Sequence, residues 1–393
     1  MRTVVVIGAG VVGASIAWNL ALRGVRAVIL EQADQVATAT SGASFSRATA
    51  FGKTPAPYFA LNHDGLRELH RLREDGVPGF HLCPSLVWTR DTDQLADDVS
   101  SARDRGYQAA LVPAAGPHQP CRLSVASLPD QVAHLPHEGW VDLPVMSRWM
   151  VDQAWRHGAD VRYGARVTAL RTRPTGVVCG VTLEDGSVVD ADMVVNAAGA
   201  QAQHVAGLVG APLRLAPTPG LLVDVVTPGG LDAMVLGPDI SVRPAGPRTV
   251  RLRSDAVDTR LASHVGPHPR GLDATPRRPL TSLVQELVER AAALLPGLRG
   301  RRPDAARVGV RAYPADGLPS VGTLDGIPGY YEAVTHSGAS LGPLLGRHIA
   351  AAIATDTPVP CLAAYSPNRF SVEAPADDAR GPAHELATEK GNP

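Results

Sequence analysis

Residues 3–31 constrain this chain more than any other stretch. Val4, Val5, Val6 and Ile7 form an uninterrupted β-branched run, the pattern of a strand buried on both faces of a parallel sheet. The turn Gly8-x-Gly10-x-x-Gly13 follows at once. Val12, Ile16, Ala17 and Leu20 then recur at helical spacing until Gly24 closes the helix. Val28, Ile29 and Leu30 predict a second buried strand, with Glu31 at its carboxyl end. Strand, glycine turn, helix, strand and acid together predict a dinucleotide site. In such a unit Gly8 permits the tight turn, Gly10 admits the backbone to a pyrophosphate, and Gly13 lets helix and strand pack closely. Val11 and Val12 open the helix whose N-terminus faces the phosphates, and Glu31 accepts ribose hydroxyls. A glycine turn without a ligand would leave the position of the acid unexplained.

Composition narrows the partners. The 393 residues carry 37 Lys+Arg against 38 Asp+Glu, a net charge of −1. That balance argues against a nucleic-acid partner or an anionic membrane surface. No apolar run reaches the length of a membrane span. Cys83, Cys121, Cys179 and Cys361 lack metal or redox spacing and read as ordinary buried thiols in a reducing compartment, so no metal site is predicted. The glycine turn begins at residue 8, which leaves no room for a signal peptide, and the expected location is cytoplasmic.

The rest of the chain alternates between two textures. Small and polar residues from Ala37 to Arg47 suit a backbone wrapped close to a ligand, although a flexible loop has the same composition. Leu61 to Leu72 predicts a helix. From about residue 78, short strands, proline-rich turns and a polar helix near Thr92 to Arg105 mark an inserted unit. A helix from Leu143 to His157 then leads to strands near Ala159–Tyr163 and Ala165–Leu170, and a hairpin turns at Glu184-Asp185-Gly186. Met193 to Gly199 is another buried strand ending in small residues. Residues 216–310 resume the strand-rich texture, with Ile240–Pro244 paired to Thr249–Arg253 and Arg251 and Arg253 on one face. Val308–Tyr313 predicts a strand carrying a single charge, Arg311. Tyr330–Thr335 predicts another, followed by a final helix after the His336 loop. The expected fold is α/β: a Rossmann-type dinucleotide-binding domain with a parallel sheet, discontinuous over 1–77, 140–215 and 311–370. The other expected domain binds substrate on a largely antiparallel sheet over 78–139 and 216–310. The tail 371–393, rich in Ala, Pro, Asp and Glu, is expected to be disordered.

Those pieces match one pattern. The chain resembles the D-amino-acid-oxidase-like family of FAD-dependent amine oxidoreductases, which includes glycine oxidase, sarcosine oxidase and dimethylglycine dehydrogenase. The resemblance rests on the glycine turn with Glu31, on Thr40-Ser41-Gly42-Ala43-Ser44, and on Val194 to Gly199. It rests most specifically on Gly309 to Gly322 with the His336-Ser337-Gly338 loop. It implies FAD as the cofactor, with the adenosine end on Glu31 and backbone contacts from Val167. Thr40, Ser41 and Arg47 would pass beside the pyrophosphate and isoalloxazine, and Ala198 and Gly199 would clear the sheet edge. Main-chain groups of Gly338, Ala339, Ser340 and Leu341 would hold the flavin pyrimidine ring, where reduction leaves negative charge that a helix N-terminus stabilises. Relatives that attach flavin covalently use a histidine where Ser46 stands here, or a cysteine where Gly309 and its neighbours offer none. The expected FAD is therefore non-covalent. A lysine of sarcosine-oxidase-like members is replaced by Gly342.

The resemblance also implies the substrate site. An arginine at the place of Arg311 pairs with a substrate carboxylate in glycine-oxidase-like relatives, and a guanidinium is a planar, bidentate fork. A structural ion pair is the alternative role. Some relatives carry a second arginine in the His336 loop; Arg253 or Arg47 are candidates to replace it. Tyr313 points to the same face as Arg311 and is a candidate to line the pocket, against plain packing. His336 is a further catalytic candidate, against a backbone-organising role. The implied activity is oxidation of the C–N bond of an amino acid or secondary amine, with hydride passing to flavin N5 to give an imine. Oxygen or another acceptor would reoxidise the flavin. A flavin-dependent 2-hydroxy-acid dehydrogenase and a non-catalytic flavin-binding subunit remain open alternatives.

Overall fold

The computed structural model describes residues 2–116, 124, 128–216, 218–264 and 277–371. Its first strand, Thr3–Ile7, lies inside a six-stranded sheet. The order is Ser320–Leu324, Ile327–Val334, Met193–Asn196, Thr3–Ile7, Arg26–Leu30 and Asp160–Arg162. All neighbours run parallel except Ser320–Leu324, which is antiparallel to Ile327–Val334. The β-branched run explains the central position, because alternate residues serve opposite cores. Val4 and Val6 pack with Ile16, Leu20 and Leu345 on the helical face. Val5 and Ile7 pack with Val167, Val178 and Val181 on the other. That second face is covered by the antiparallel meander Val167–Thr172, Val178–Leu183 and Val188–Asp190. A strand polar on one side would expose that side to a dry interface, so the continuous apolar run is required.

The second large sheet has eight strands, in the order Ala305–Val310, Pro219–Val226, Thr249–Arg253, Ser241–Gly246, Met234–Leu236, Ser85–Val87, Gln131–Leu135 and Ala110–Pro113. It is antiparallel apart from the Met234–Leu236 and Ser85–Val87 pair. Arg47–Ala48, Gly139–Val141 and Phe80–Leu82 form a small antiparallel sheet of their own.

Two details depart from expectation. The strand predicted over Val308–Tyr313 stops at Val310, and Tyr313–Pro314 pairs instead with Leu215–Ala216. Pro314 has no N–H to continue a ladder, and Arg311 sits in the break with its N–H on Thr218 O at 3.2 Å. The four thiols are not uniformly buried either: Cys83 is buried, Cys179 half-buried and Cys361 exposed. Cys121, and the tail from residue 372, lie outside the described residues.

Candidate active site

The glycine turn is closed to any larger residue. Gly8 has φ +101°, and a Cβ there would lie 2.7 Å from Ala197 O; one on Gly13 would lie 1.9 Å from Gly8 O. Thus Ala197 and Ala198, at the end of the neighbouring strand, seat directly on the turn. Gly199 follows with φ +57° and open space around it. Glu31 is buried, and its carboxylate accepts the Ala9 N–H at 2.8 Å and the Ala33 N–H at 2.9 Å. The acid therefore braces the turn while keeping lone pairs for further donors. The Ala165 N–H on Glu31 O, at 2.8 Å, brings the chain entering the Val167 strand alongside it.

The helices Val11–Ala21 and Gly338–Thr355 pack on each other through glycine. A Cβ on Gly338 would lie 3.3 Å from Val11 Cγ1, one on Gly342 2.9 Å from Val11 Cγ2, and one on Gly346 2.0 Å from Ser15 Oγ. Contacts ascend together in both segments, so the helices run parallel and their N-termini stand side by side. Neither Gly10 nor Ser337 caps its helix with a side chain. Two sets of unpaired amides and two positive dipole ends converge on one place. The Val11 N–H reaches Ser41 Oγ at 3.2 Å. Leu341 is fully buried and its N–H bonds Ser337 O at 2.9 Å, so it is engaged, whereas the N–H groups of Gly338, Ala339 and Ser340 have no acceptor among the described residues. The Ser340 hydroxyl is engaged with the Thr49 backbone, at 3.1 Å from N and 3.2 Å from O.

Arg47 and Thr40 have protein partners. Arg47 Nε donates to Glu138 at 2.7 Å in a structural ion pair. Glu138 is fully buried and also accepts from Ser85 Oγ at 2.5 Å, Tyr107 OH at 2.7 Å and Thr49 Oγ1. Thr40 Oγ1 donates to Val310 O at 2.6 Å, next to Arg311.

Arg311 Nη2 pairs with Asp258 Oδ2 at 2.6 Å. Asp258 is buried, also meets Arg253 Nε at 3.3 Å, and accepts the Leu221 N–H at 2.8 Å. The guanidinium head rests against Gly220, where a Cβ would stand 3.1 Å from Nη2. Asp258 thereby fixes one edge of the Arg311 fork. Tyr313 and His336 lie with ring centroids 4.3 Å apart and their planes tilted by 32°. His336 Nε2 lies 3.4 Å from Tyr58 OH, which bonds Ser337 Oγ at 2.7 Å. His336 Nδ1 is buried without a partner among the described residues. Burial, then the cations Lys53 and Arg311, pull the His336 pKa down to about 3, so the ring is neutral at ordinary pH. A base that weak takes up no proton near neutrality. Sequence reasoning missed Lys53, Tyr58, Asp258 and Glu138, which reach the site from three separate segments.

The family model described as FAD dependent oxidoreductase (DAO) matches residues 3–352. A glycine oxidase of Geobacillus kaustophilus is 26% identical over 373 residues, 88% of this chain and 91% of the relative. The mitochondrial dimethylglycine dehydrogenase of Rattus norvegicus is 28% identical over 221 residues, and the match spans a quarter, 25%, of that longer protein. Among solved structures, glycine oxidase from Geobacillus kaustophilus superposes with TM-score 0.78 at 22% identity, covering 94% of this chain and 99% of that one. Iminodiacetate oxidase from Chelativorans sp. BNC1 gives 0.72 at 24%, covering 93% and 98%. The residues present fit FAD. The turn admits backbone approach because Gly8 and Gly13 carry no Cβ, the buried Glu31 carboxylate keeps lone pairs for further donors, and two helix N-termini present amides suited to anionic groups.

Proposed function

The chain belongs to the DAO family of FAD-dependent oxidoreductases, and from that membership we propose that it oxidises the C–N bond of a small amino acid or secondary amine. The reading is carried by Arg311, a cation held at the strand break by Asp258 and adjoining the Tyr313–His336 pair. Its remaining donors can grip a substrate carboxylate and so orient the neighbouring C–H. FAD, when bound, supplies the hydride acceptor. Its AMP end would rest on Glu31 and the glycine turn, and its flavin end on the amides opening Gly338–Thr355. The protein's part is placement: Arg311 binds, Asp258 holds Arg311, and Tyr313 with neutral His336 forms a wall that excludes water. His336, neutral and weakly basic, is not assigned as the base; the amine must reach its neutral form for hydride to leave the adjacent carbon. The names of the glycine oxidase and iminodiacetate oxidase relatives support the amine reading. The test is anaerobic bleaching of the bound flavin by amines, amino acids and 2-hydroxy acids. Bleaching by amino acids or secondary amines, lost in Arg311→Ala with flavin retained, is the expected result. Bleaching by hydroxy acids alone would move the activity to C–O bonds, and no bleaching would leave a flavin-binding subunit.

A further inference from the structure

The segment from Ser41 to Thr49 joins the two helix N-termini: Ser41 Oγ meets the Val11 N–H at one end, and Thr49 is bonded to Ser340 at the other. It therefore runs along the line on which FAD is placed above, and the inference rests on that placement. The eight-stranded sheet grips this segment from behind. Gly309 packs so closely that a Cβ would lie 2.3 Å from Ala43 O. Arg251 Nη1 donates to Ser44 O at 3.1 Å, while its Nε and Nη2 form a fork on Asp224 at 2.7 and 2.8 Å. Arg243 Nε donates to Phe45 O, and its Nη2 reaches Ser46 Oγ at 3.3 Å. The two arginines are register partners on adjacent strands, so they act on consecutive residues of the segment.

Arg243 is unusual for its type. It is 2% exposed, lies 4.3 Å from the Trp140 ring, and has no carboxylate at ion-pair distance among the described residues. Burying an unpaired guanidinium is costly, and surplus cationic charge is thereby maintained behind a segment that faces anionic groups. Asp224 is shared between Arg251 and Arg307, so it does not neutralise both. Ser46, the residue Arg243 touches, has φ +51°, a conformation that a non-glycine residue holds only when its surroundings impose it.

We propose that Arg243 and Arg251 are positioning residues: a two-arginine clasp that holds Ser44–Ser46 in the shape that receives FAD and directs positive charge through it toward the cofactor. Neither arginine touches substrate in this role. The test uses the full-length holoenzyme. FAD release on dilution is followed by the rise of free-flavin fluorescence, and the flavin midpoint potential is measured alongside. In Arg251→Met and Arg243→Met, release is expected at least tenfold faster and the potential more negative than wild type, with Arg243→Lys recovering part of the potential. Because Arg243→Met removes a buried side chain and can fail to fold, Arg251→Met and Ser46→Ala decide the matter on their own. Folded variants that keep both release rate and potential overturn the clasp. Glu31→Gln separates the two levels. If it also leaves release unchanged, the placement of FAD is what fails. If it releases FAD faster and the clasp variants do not, the clasp alone fails.

Discussion

Replacing Glu138 is the sharpest test of how the small three-stranded sheet is joined to the eight-stranded one. Its carboxylate is fully buried and takes four donors from three segments: Arg47 and Thr49, Ser85, and Tyr107. In Glu138→Ala the hydroxyls can rotate or find water, but the Arg47 guanidinium keeps its charge. Its Nη2 is already buried without a partner among the described residues, so none of them stands ready as a second acceptor. Removing one partner of a buried ion pair costs about 3–5 kcal/mol, and the charge left behind is the dominant part. We expect a loss of about 4 kcal/mol, measured by urea unfolding of the holoenzyme with tryptophan fluorescence and circular dichroism. Glu138→Gln keeps an acceptor and loses the charge, and about half that loss is expected. The double variant Arg47→Met with Glu138→Leu removes both charges and should recover most of it, since apolar pairs often replace buried ion pairs at little cost. A Glu138→Ala protein within about 1 kcal/mol of wild type, or a double variant as unstable as the sum of the singles, would refute this account of the junction.

Three further outcomes follow from the geometry. The His336 pKa falls from 6.5 to about 3 on folding, so between those values the unfolded chain holds a proton that the folded chain does not. This contribution is complete above pH 6.5 and is lost as pH drops toward 3; His336→Gln should flatten the stability–pH slope by up to ~1.4 kcal/mol per pH unit, read from urea midpoints across that window. Gly346→Val would force side-chain atoms onto Ser15, whose Oγ is 2.0 Å from an ideal Cβ, and should cost about 1–3 kcal/mol with FAD bound more weakly, read by thermal melts and flavin titration. Acid precipitation should release all yellow colour to the supernatant, and colour in the pellet would reveal a covalent link.

The opening unit was legible because its information is local. Val4 to Ile7, the three glycines and Glu31 each act on neighbours a few positions away, or on a strand paired in register. The Arg251 and Arg253 face was legible from strand alternation for the same reason. Arg311 was found through resemblance, but its partner was not: Asp258 lies 53 positions earlier on a helix, and no spacing rule links them. Glu138 reads in sequence like any surface acid in a turn, because burial by distant segments leaves no trace in its neighbours. The break after Val310 was hidden by an apolar pattern that continues through Ala312 and Tyr313, while the pairing of Tyr313–Pro314 depends on Leu215–Ala216. Arg243 sits between Val242 and Pro244 on the strand face that alternation would leave for solvent, and Phe45 and Ser46 cover it.

The interlock of Val11–Ala21 with Gly338–Thr355 bears on how the protein is made. Ser15 Oγ donates to Pro343 O across 328 positions of chain. During synthesis the glycine motif emerges first, yet the helix that doubles its anion-facing surface emerges near the end. A nascent chain that stops before Gly338 contains every residue of the motif and half of the paired amides, with the Val11 and Ser15 flank bare. On the placement of FAD proposed above, complete capture of the cofactor would be a late event, tied to docking of the last helix.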